Sequence, residues 1–182
     1  MLTIKKAFGG SMLKNADDIV ALSDILWKMG TIREIKEKVT PELFNVHICT
    51  NVIGMWQGDG WFEIVANNPE MLQYIPKAMN ALGLSQIGEA FQDLLTLFPP
   101  FATFTYGDLH IEIINFLENS RRRVDDERLN QYSKEERTEF SKQYENKLGV
   151  LEDYSNKLWS YNVPEDKVWG TVLDYIRRHF SD

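Results

Sequence analysis

Apolar residues recur at helical spacing along almost the whole chain. Ile19, Leu22 and Leu26 form one such run, and longer stripes with the same period cover residues 140–158 and 168–180. Positions three and four residues apart share one face of a helix, so each stripe predicts a helix that buries one face. We therefore predict an all-α fold, a single-domain helical bundle of roughly seven to nine helices.

Helix starts are marked by capping residues and prolines. Thr31 with Glu34 and Ser133 with Glu136 have the spacing of capping boxes, in which each side chain satisfies a free backbone N–H. Pro41 follows a threonine and fits the first position of a helix, where its missing N–H costs nothing. These signals place helix starts near residues 32, 41 and 134.

The domain is expected to span residues 1–182 with two looser segments. Residues 1–14 are predicted to be flexible, and Asn15 is predicted to cap the first long helix. Residues 120–132, SRRRVDDERLNQY, are the most polar stretch and are predicted to be a mobile connection. The chain is therefore interpreted as one domain with no internal linker to a second one.

One helix is predicted to lie at the centre of the bundle. Residues 43–56 are apolar on nearly every side, which is typical of a helix surrounded by others. Residues 101–107, FATFTYG, are assigned to a loop, because an isolated strand would have no partner. The stripe in residues 140–158 is either core or a homodimer face, and we favour the core.

The stretch GDGWFEIVAN is interpreted as a tight joint between two buried helices. Gly58 and Gly60 permit backbone angles that a side chain would forbid. Trp61 would place a large apolar surface in the core just after the turn. Asn67 is expected to cap a helix end or to bond a backbone group.

The residues required for common chemistries do not occur in the necessary combinations. Cys49 is the only cysteine, which excludes a disulfide framework and favours a reducing compartment, so we expect a cytoplasmic protein. No zinc, calcium or phosphate-loop motif is present, no run is long enough to cross a membrane, and we predict no catalytic residue, metal or cofactor. An enzyme using Asp59, Glu63 or His110 stays open as an alternative.

Charge is distributed unevenly along the chain. The net charge is −7. Residues 39–120 carry nine acids and one base, Lys77, whereas residues 1–38 carry +2 and residues 121–182 carry −1. An acidic field repels nucleic acid and membrane phosphate and attracts basic proteins. We therefore expect neither direct nucleic-acid binding nor membrane binding, and we expect a non-enzymatic acidic interaction protein with a protein partner.

The predicted partner-binding residues are eight acids of this middle segment: Asp59, Glu63, Glu70, Glu89, Asp93, Asp108, Glu112 and Glu118. The alternative function is a small-molecule or peptide-binding helical domain. Its pocket would be lined by four aromatic side chains: Trp56, Trp61, Phe62 and Tyr106.

GDGWFEIVAN also resembles the signature of a bacterial all-helical family that is DNA-mimic-protein-like and otherwise mostly of unknown function. That signature runs Asn-Gly-Gly-Phe, two residues, two aromatics, one residue, Asn. Gly60, Trp61 and Asn67 match its second glycine, its aromatic and its closing asparagine. Gly58 and Asp59 replace its first two residues, and an Ile-Val pair replaces the two aromatics.

Two further blocks extend the resemblance over about residues 15–180. AMNALGL is similar to a family helix end, and LEDYSNKLW with EDKVWGTVLDYIRRH is similar to its closing helices. The resemblance implies carboxylates arranged like duplex phosphates, which occupy the DNA-binding face of a basic helical repressor, and it implies a dimer. The partner expected from it is a basic DNA-binding protein.

Overall fold

The computed structural model describes residues 1–9, 16–160 and 167–180, and within these ranges every regular element is a helix. The all-α prediction is confirmed, with slightly more helices than predicted because three of them have only four residues. The twelve helices are α1 (Ile4–Ala7), α2 (Ala16–Trp27), α3 (Ile32–Lys38), α4 (Pro41–Gly58), α5 (Gly60–Asn67), α6 (Pro69–Leu72), α7 (Ile75–Leu82), α8 (Ser85–Leu95), α9 (Asp108–Glu118), α10 (Glu127–Asn130), α11 (Lys134–Asn156) and α12 (Lys167–Arg178).

Helix α4 is the centre of the bundle, as its all-round apolarity predicts. Thr40 caps it by accepting a hydrogen bond from the Leu43 N–H, and Pro41 occupies its first turn. Leu43, Ile48 and Val52 are fully buried. Helix α4 packs against α2, α5, α7 and α12, and only Pro41, Gly54 and Gly58 of its residues are exposed.

Helix α11 is the second organising element. It packs against α5, α8 and α9, and it buries Tyr144 and Leu151 of the predicted stripe. Phe140, Leu148 and Tyr154 pack against the same core and are partly buried. The stripe therefore belongs to the core of the chain, which confirms the favoured alternative.

The local signals fix helix boundaries well. Both capping boxes form, with Thr31 and Ser133 as the capping residues. Residues 101–107 contain no strand. Asp108 is the first helical residue of α9 and follows Gly107 at the cap position. There its carboxylate lies at the positive end of the helix dipole.

The N-terminal residues are fastened to the core rather than extended into solvent. Leu2 and Val39 form a β-bridge, and Ile4 in α1 is only 1% exposed. These contacts hold residues 1–9 of the segment that was predicted to be flexible. Residues 10–14 and the predicted cap Asn15 lie outside the described residues. No helix in the described ranges has the length and apolar content needed to cross a membrane.

Candidate functional site

At the joint between α4 and α5, only one of the two glycines has a backbone conformation that favours glycine. Gly58 is the last helical residue of α4, so its prediction as a glycine-requiring position is wrong. Gly60 has φ of +84°, which disfavours any residue with a Cβ. Asp59 lies between them, exposed, and its side chain makes no capping hydrogen bond. Of the two glycines, Gly60 alone has a left-handed backbone conformation at this turn.

Trp61 anchors this joint in the core, as predicted. Its side chain is 1% exposed, and its indole N–H donates to the Ser155 hydroxyl of α11 at 3.1 Å. Its ring packs against Trp56, with centroids 4.9 Å apart, and against Phe91 at 5.8 Å. The space around Trp61 is filled by protein side chains, so it is a structural residue and not the wall of an open pocket.

The four aromatic side chains of the alternative pocket are not equivalent. Trp56 and Trp61 are buried, whereas Phe62 is 37% and Tyr106 is 60% exposed. Tyr106 lines a separate surface cavity together with Trp27. Within the part of the chain that the structure describes, these four side chains differ too much in burial to line one pocket together.

Asn67 differs from both of its predicted roles. It is the last residue of α5, and its side-chain amide donates to the Glu63 carboxylate one turn earlier. The hydrogen bond joins two side chains on one helix face, as the i, i+4 spacing allows. Glu63 therefore presents a carboxylate that is oriented by Asn67.

Glu112, another predicted partner-binding acid, holds the segment after α9. Its Oε2 accepts hydrogen bonds from the backbone N–H groups of Asp125 at 3.0 Å and Asp126 at 2.7 Å. Val124 and Leu129 beside them are buried. The polar segment 120–132, predicted to be a mobile connection, is thus anchored by charge-assisted hydrogen bonds and contains the short helix α10.

Two further acids form ion pairs within the chain. Asp93 on α8 pairs with Lys147 on α11, and Glu118 on α9 pairs with Arg122 at 2.8 Å. Both pairs lie at the surface, where such pairs contribute little to stability. They do neutralise part of the acidic field that the sequence predicts.

Four of the eight predicted acids are exposed and have no hydrogen-bond or ion-pair partner among the described residues. They are Asp59, Glu70, Glu89 and Asp108. Their carboxylates are available to a partner without breaking any contact in the chain.

A surface corner brings one of these four acids together with two exposed aromatic rings. Glu70, Tyr106 and Trp27 line one cavity of about 180 Å³. Trp27 is 41% exposed, and its indole N–H is held by Asn51 at 2.9 Å. Asp108 begins α9 two residues after Tyr106, so a second unpaired carboxylate follows this cavity closely along the chain, although it is not part of the cavity lining.

His110 fixes the position of this corner. Its Nε2 lies 3.1 Å from the carbonyl oxygen of Val65 and 3.0 Å from that of Ala66, at the end of α5. Since carbonyls only accept, Nε2 must carry the proton. This contact joins α9 to the end of α5. We call the resulting surface the acidic corner, defined by its exposed or partly exposed residues: Trp27, Glu63, Asn67, Glu70, Tyr106 and Asp108.

Burial shifts the pKa values of the titratable side chains in the interior. His110 is 4% exposed, and burial lowers the pKa of its imidazole although the two carbonyls oppose this shift. Burial lowers the pKa of His47 to about 4 and raises the pKa of the Cys49 thiol. No cluster of three metal-ligating side chains occurs in the described part of the chain. Each of these side chains is buried, and His47 packs against Trp27 of the acidic corner with ring centroids 4.9 Å apart.

The sequence lacked a signal for the aromatic part of this corner. Trp27 ends an apolar run and has the pattern of a core residue, yet 41% of its surface is exposed. Tyr106 lies in a loop, where no period indicates exposure.

Comparison with known proteins finds no matching family model, no matching curated protein and no matching solved structure.

Proposed function

We propose that this protein is a non-enzymatic, acidic interaction protein that binds a basic protein partner through the acidic corner. Its single, buried cysteine supports a place in the reducing cytoplasm. A DNA-binding protein is the partner that the family resemblance favours, with duplex mimicry as the extreme form of the function. The dimer implied by the same resemblance can be measured by sedimentation equilibrium.

The observation that carries this proposal is the combination of unpaired carboxylates with fixed, exposed aromatic rings. Glu70 and Asp108 would attract a basic partner and accelerate its approach. Tyr106, 60% exposed, and Trp27, 41% exposed, are residue types that contribute strongly to binding once they are covered. Because Trp27 is already held by a hydrogen bond, little rotamer freedom is lost when it is covered.

Charge density supports a general acidic interface more strongly than strict duplex mimicry. Asp108, Glu112 and Glu118 lie within about 120° of the α9 circumference and span about 15 Å of helix axis. Duplex DNA of that length carries about nine phosphates, of which about half face one partner. Helix α9 supplies only three carboxylates, and two of them have partners in the chain. A mimic would need additional acids from the corner, such as Glu70.

The experiment is affinity capture from a lysate of the source organism, followed by washes at low and high salt and by competition with duplex DNA. The wild type is compared with a Glu70→Gln/Asp108→Asn variant, which removes the two carboxylates of the corner that have no hydrogen-bond or ion-pair partner. The matched control is Glu145→Gln/Asp153→Asn, which removes two exposed acids from α11.

The proposal expects a basic protein that is retained by the wild type and by the control, lost from the corner variant and released at high salt. Displacement by duplex DNA would favour mimicry, whereas a salt-sensitive partner that DNA does not displace would favour the broader function. Equal retention by both variants would contradict the role of the corner.

A further inference from the structure

A second cavity, of about 210 Å³, lies between α3, the start of α4 and the start of α7. Its apolar side is formed by Val39, Phe44 and Tyr74. The rings of Phe44 and Tyr74 meet edge to face with centroids 5.1 Å apart. Val39 and Phe44 are almost fully buried, at 1% and 6% exposure, so this wall is a fixed part of the core.

The polar side of the cavity is positively charged. Lys36 lies over the Tyr74 ring, with Nζ 4.6 Å from its centroid, and Lys77 lines the cavity from α7. Lys77 forms no ion pair within the described ranges, and no carboxylate is among the described residues that line the cavity. The local charge is therefore opposite to the net charge of −7.

Lys77 stands out within its own segment, because it is the single base among residues 39–120, which carry nine acids. A lysine on a solvated helix face pairs readily with neighbouring acids in such a segment. This lysine instead lines a cavity with an aromatic wall together with Lys36, which forms no ion pair within the described ranges. Two like charges at one cavity repel each other, and an anion placed between them would relieve that repulsion.

We propose that this cavity binds small aromatic monocarboxylates. The ligand ring would lie against Phe44 and Tyr74, and its carboxylate would accept hydrogen bonds from Lys36 and Lys77. The size agrees with this class, because an apolar cavity of about 150 Å³ holds one benzene molecule. A volume of about 210 Å³ therefore admits one ring with a short acidic substituent. This site is separate from the acidic corner and does not depend on the function proposed for it.

The test is titration of the ¹⁵N-labelled protein with phenylacetate, followed by NMR. Phenylacetamide, of the same shape without the charge, and acetate, which has the charge without the ring, are the matched probes. We expect phenylacetate to shift the amides of Phe44, Tyr74 and Lys77 and to bind at least about tenfold more tightly than either control probe.

Two variants test whether the ammonium group of Lys77 binds the carboxylate of phenylacetate. Lys77→Gln is expected to weaken phenylacetate binding about tenfold, because one charge-assisted hydrogen bond is lost. Lys142→Gln, at an exposed lysine of α11, is expected to leave the affinity unchanged. Both positions are exposed, and an unchanged spectrum of the free variant verifies its fold.

The proposal is overturned if phenylacetate causes no shifts, or if its shifts lie away from the cavity. Equal affinity for phenylacetamide would show that the lysines do not recognise the ligand. Equal affinity of Lys77→Gln and the wild type would show the same.

Discussion

The two glycines of GDGWFEIVAN should respond to alanine substitution with opposite signs. Gly58 is helical, whereas Gly60 has φ of +84°. A Cβ built at either position meets no atom within 4 Å apart from its chain neighbours and its own helix backbone, so steric crowding does not distinguish the two. The difference must come from the backbone, which makes Gly58→Ala a matched control for Gly60→Ala.

The magnitudes follow from the two backbone conformations. At Gly58, alanine lowers the entropy of the unfolded chain and favours helix, which should stabilise the fold by about 0.5–1 kcal/mol. At Gly60, an L-residue in the left-handed region costs about 1–2 kcal/mol, partly offset by the same entropic gain. We expect a net destabilisation of about 0.5–1.5 kcal/mol, so the two variants should differ by about 1–2.5 kcal/mol.

Urea unfolding followed by tryptophan fluorescence measures both variants under identical conditions. The midpoint should move up for Gly58→Ala and down for Gly60→Ala, with unchanged slopes. If Gly60→Ala were as stable as the wild type, the turn would not require a left-handed residue. If Gly58→Ala were the more damaging variant, the end of α4 would not be helical as described.

Three further predictions concern the core and the loop after α9. Trp61→Phe should lower the free energy of unfolding in urea by about 1–3 kcal/mol, because it removes side-chain volume and the hydrogen bond to Ser155. Ser155→Ala should lower it by only about 1 kcal/mol. Burial lowers the pKa of His47 to about 4, so the unfolded chain binds a proton at this residue at a higher pH than the folded chain does. The free energy of unfolding should therefore be at its full value above pH 6.5 and should fall by about 2–3 kcal/mol as the pH is lowered toward 4. His47→Gln should flatten that pH dependence, and an unchanged slope would contradict it. Glu112→Gln should speed hydrogen exchange at the Asp126 amide by about tenfold, and unchanged protection would show that the carboxylate does not hold this loop.

Much of the fold was predictable because its signals are local. The all-round apolarity of residues 43–56 identified the central helix, and the capping boxes at Thr31 and Ser133 fixed two helix starts within a residue. The four-residue helices α1, α6 and α10 were missed, since four residues are too few to show a period. Their formation depends on tertiary contacts such as the burial of Ile4 and Leu129.

The candidate site was predictable in composition and not in arrangement. The excess of acids in residues 39–120 is visible in the sequence, but the pairing of Asp93 with Lys147 spans 54 positions along the chain. The use of Glu112 as a loop anchor likewise depends on backbone N–H groups 13 and 14 residues away. Which carboxylates stay unpaired is therefore decided by helix packing, which no local pattern reports.

The most direct test of the central claim is the salt dependence of binding between this protein and the basic protein that it captures. We predict that affinity falls steeply and linearly on a log–log plot as salt increases, and that the slope is smaller for Glu70→Gln/Asp108→Asn than for the wild type. The Glu145→Gln/Asp153→Asn control should keep the wild-type slope. Affinity that is independent of salt, or equal slopes for all three proteins, would contradict an interface built on the acidic corner.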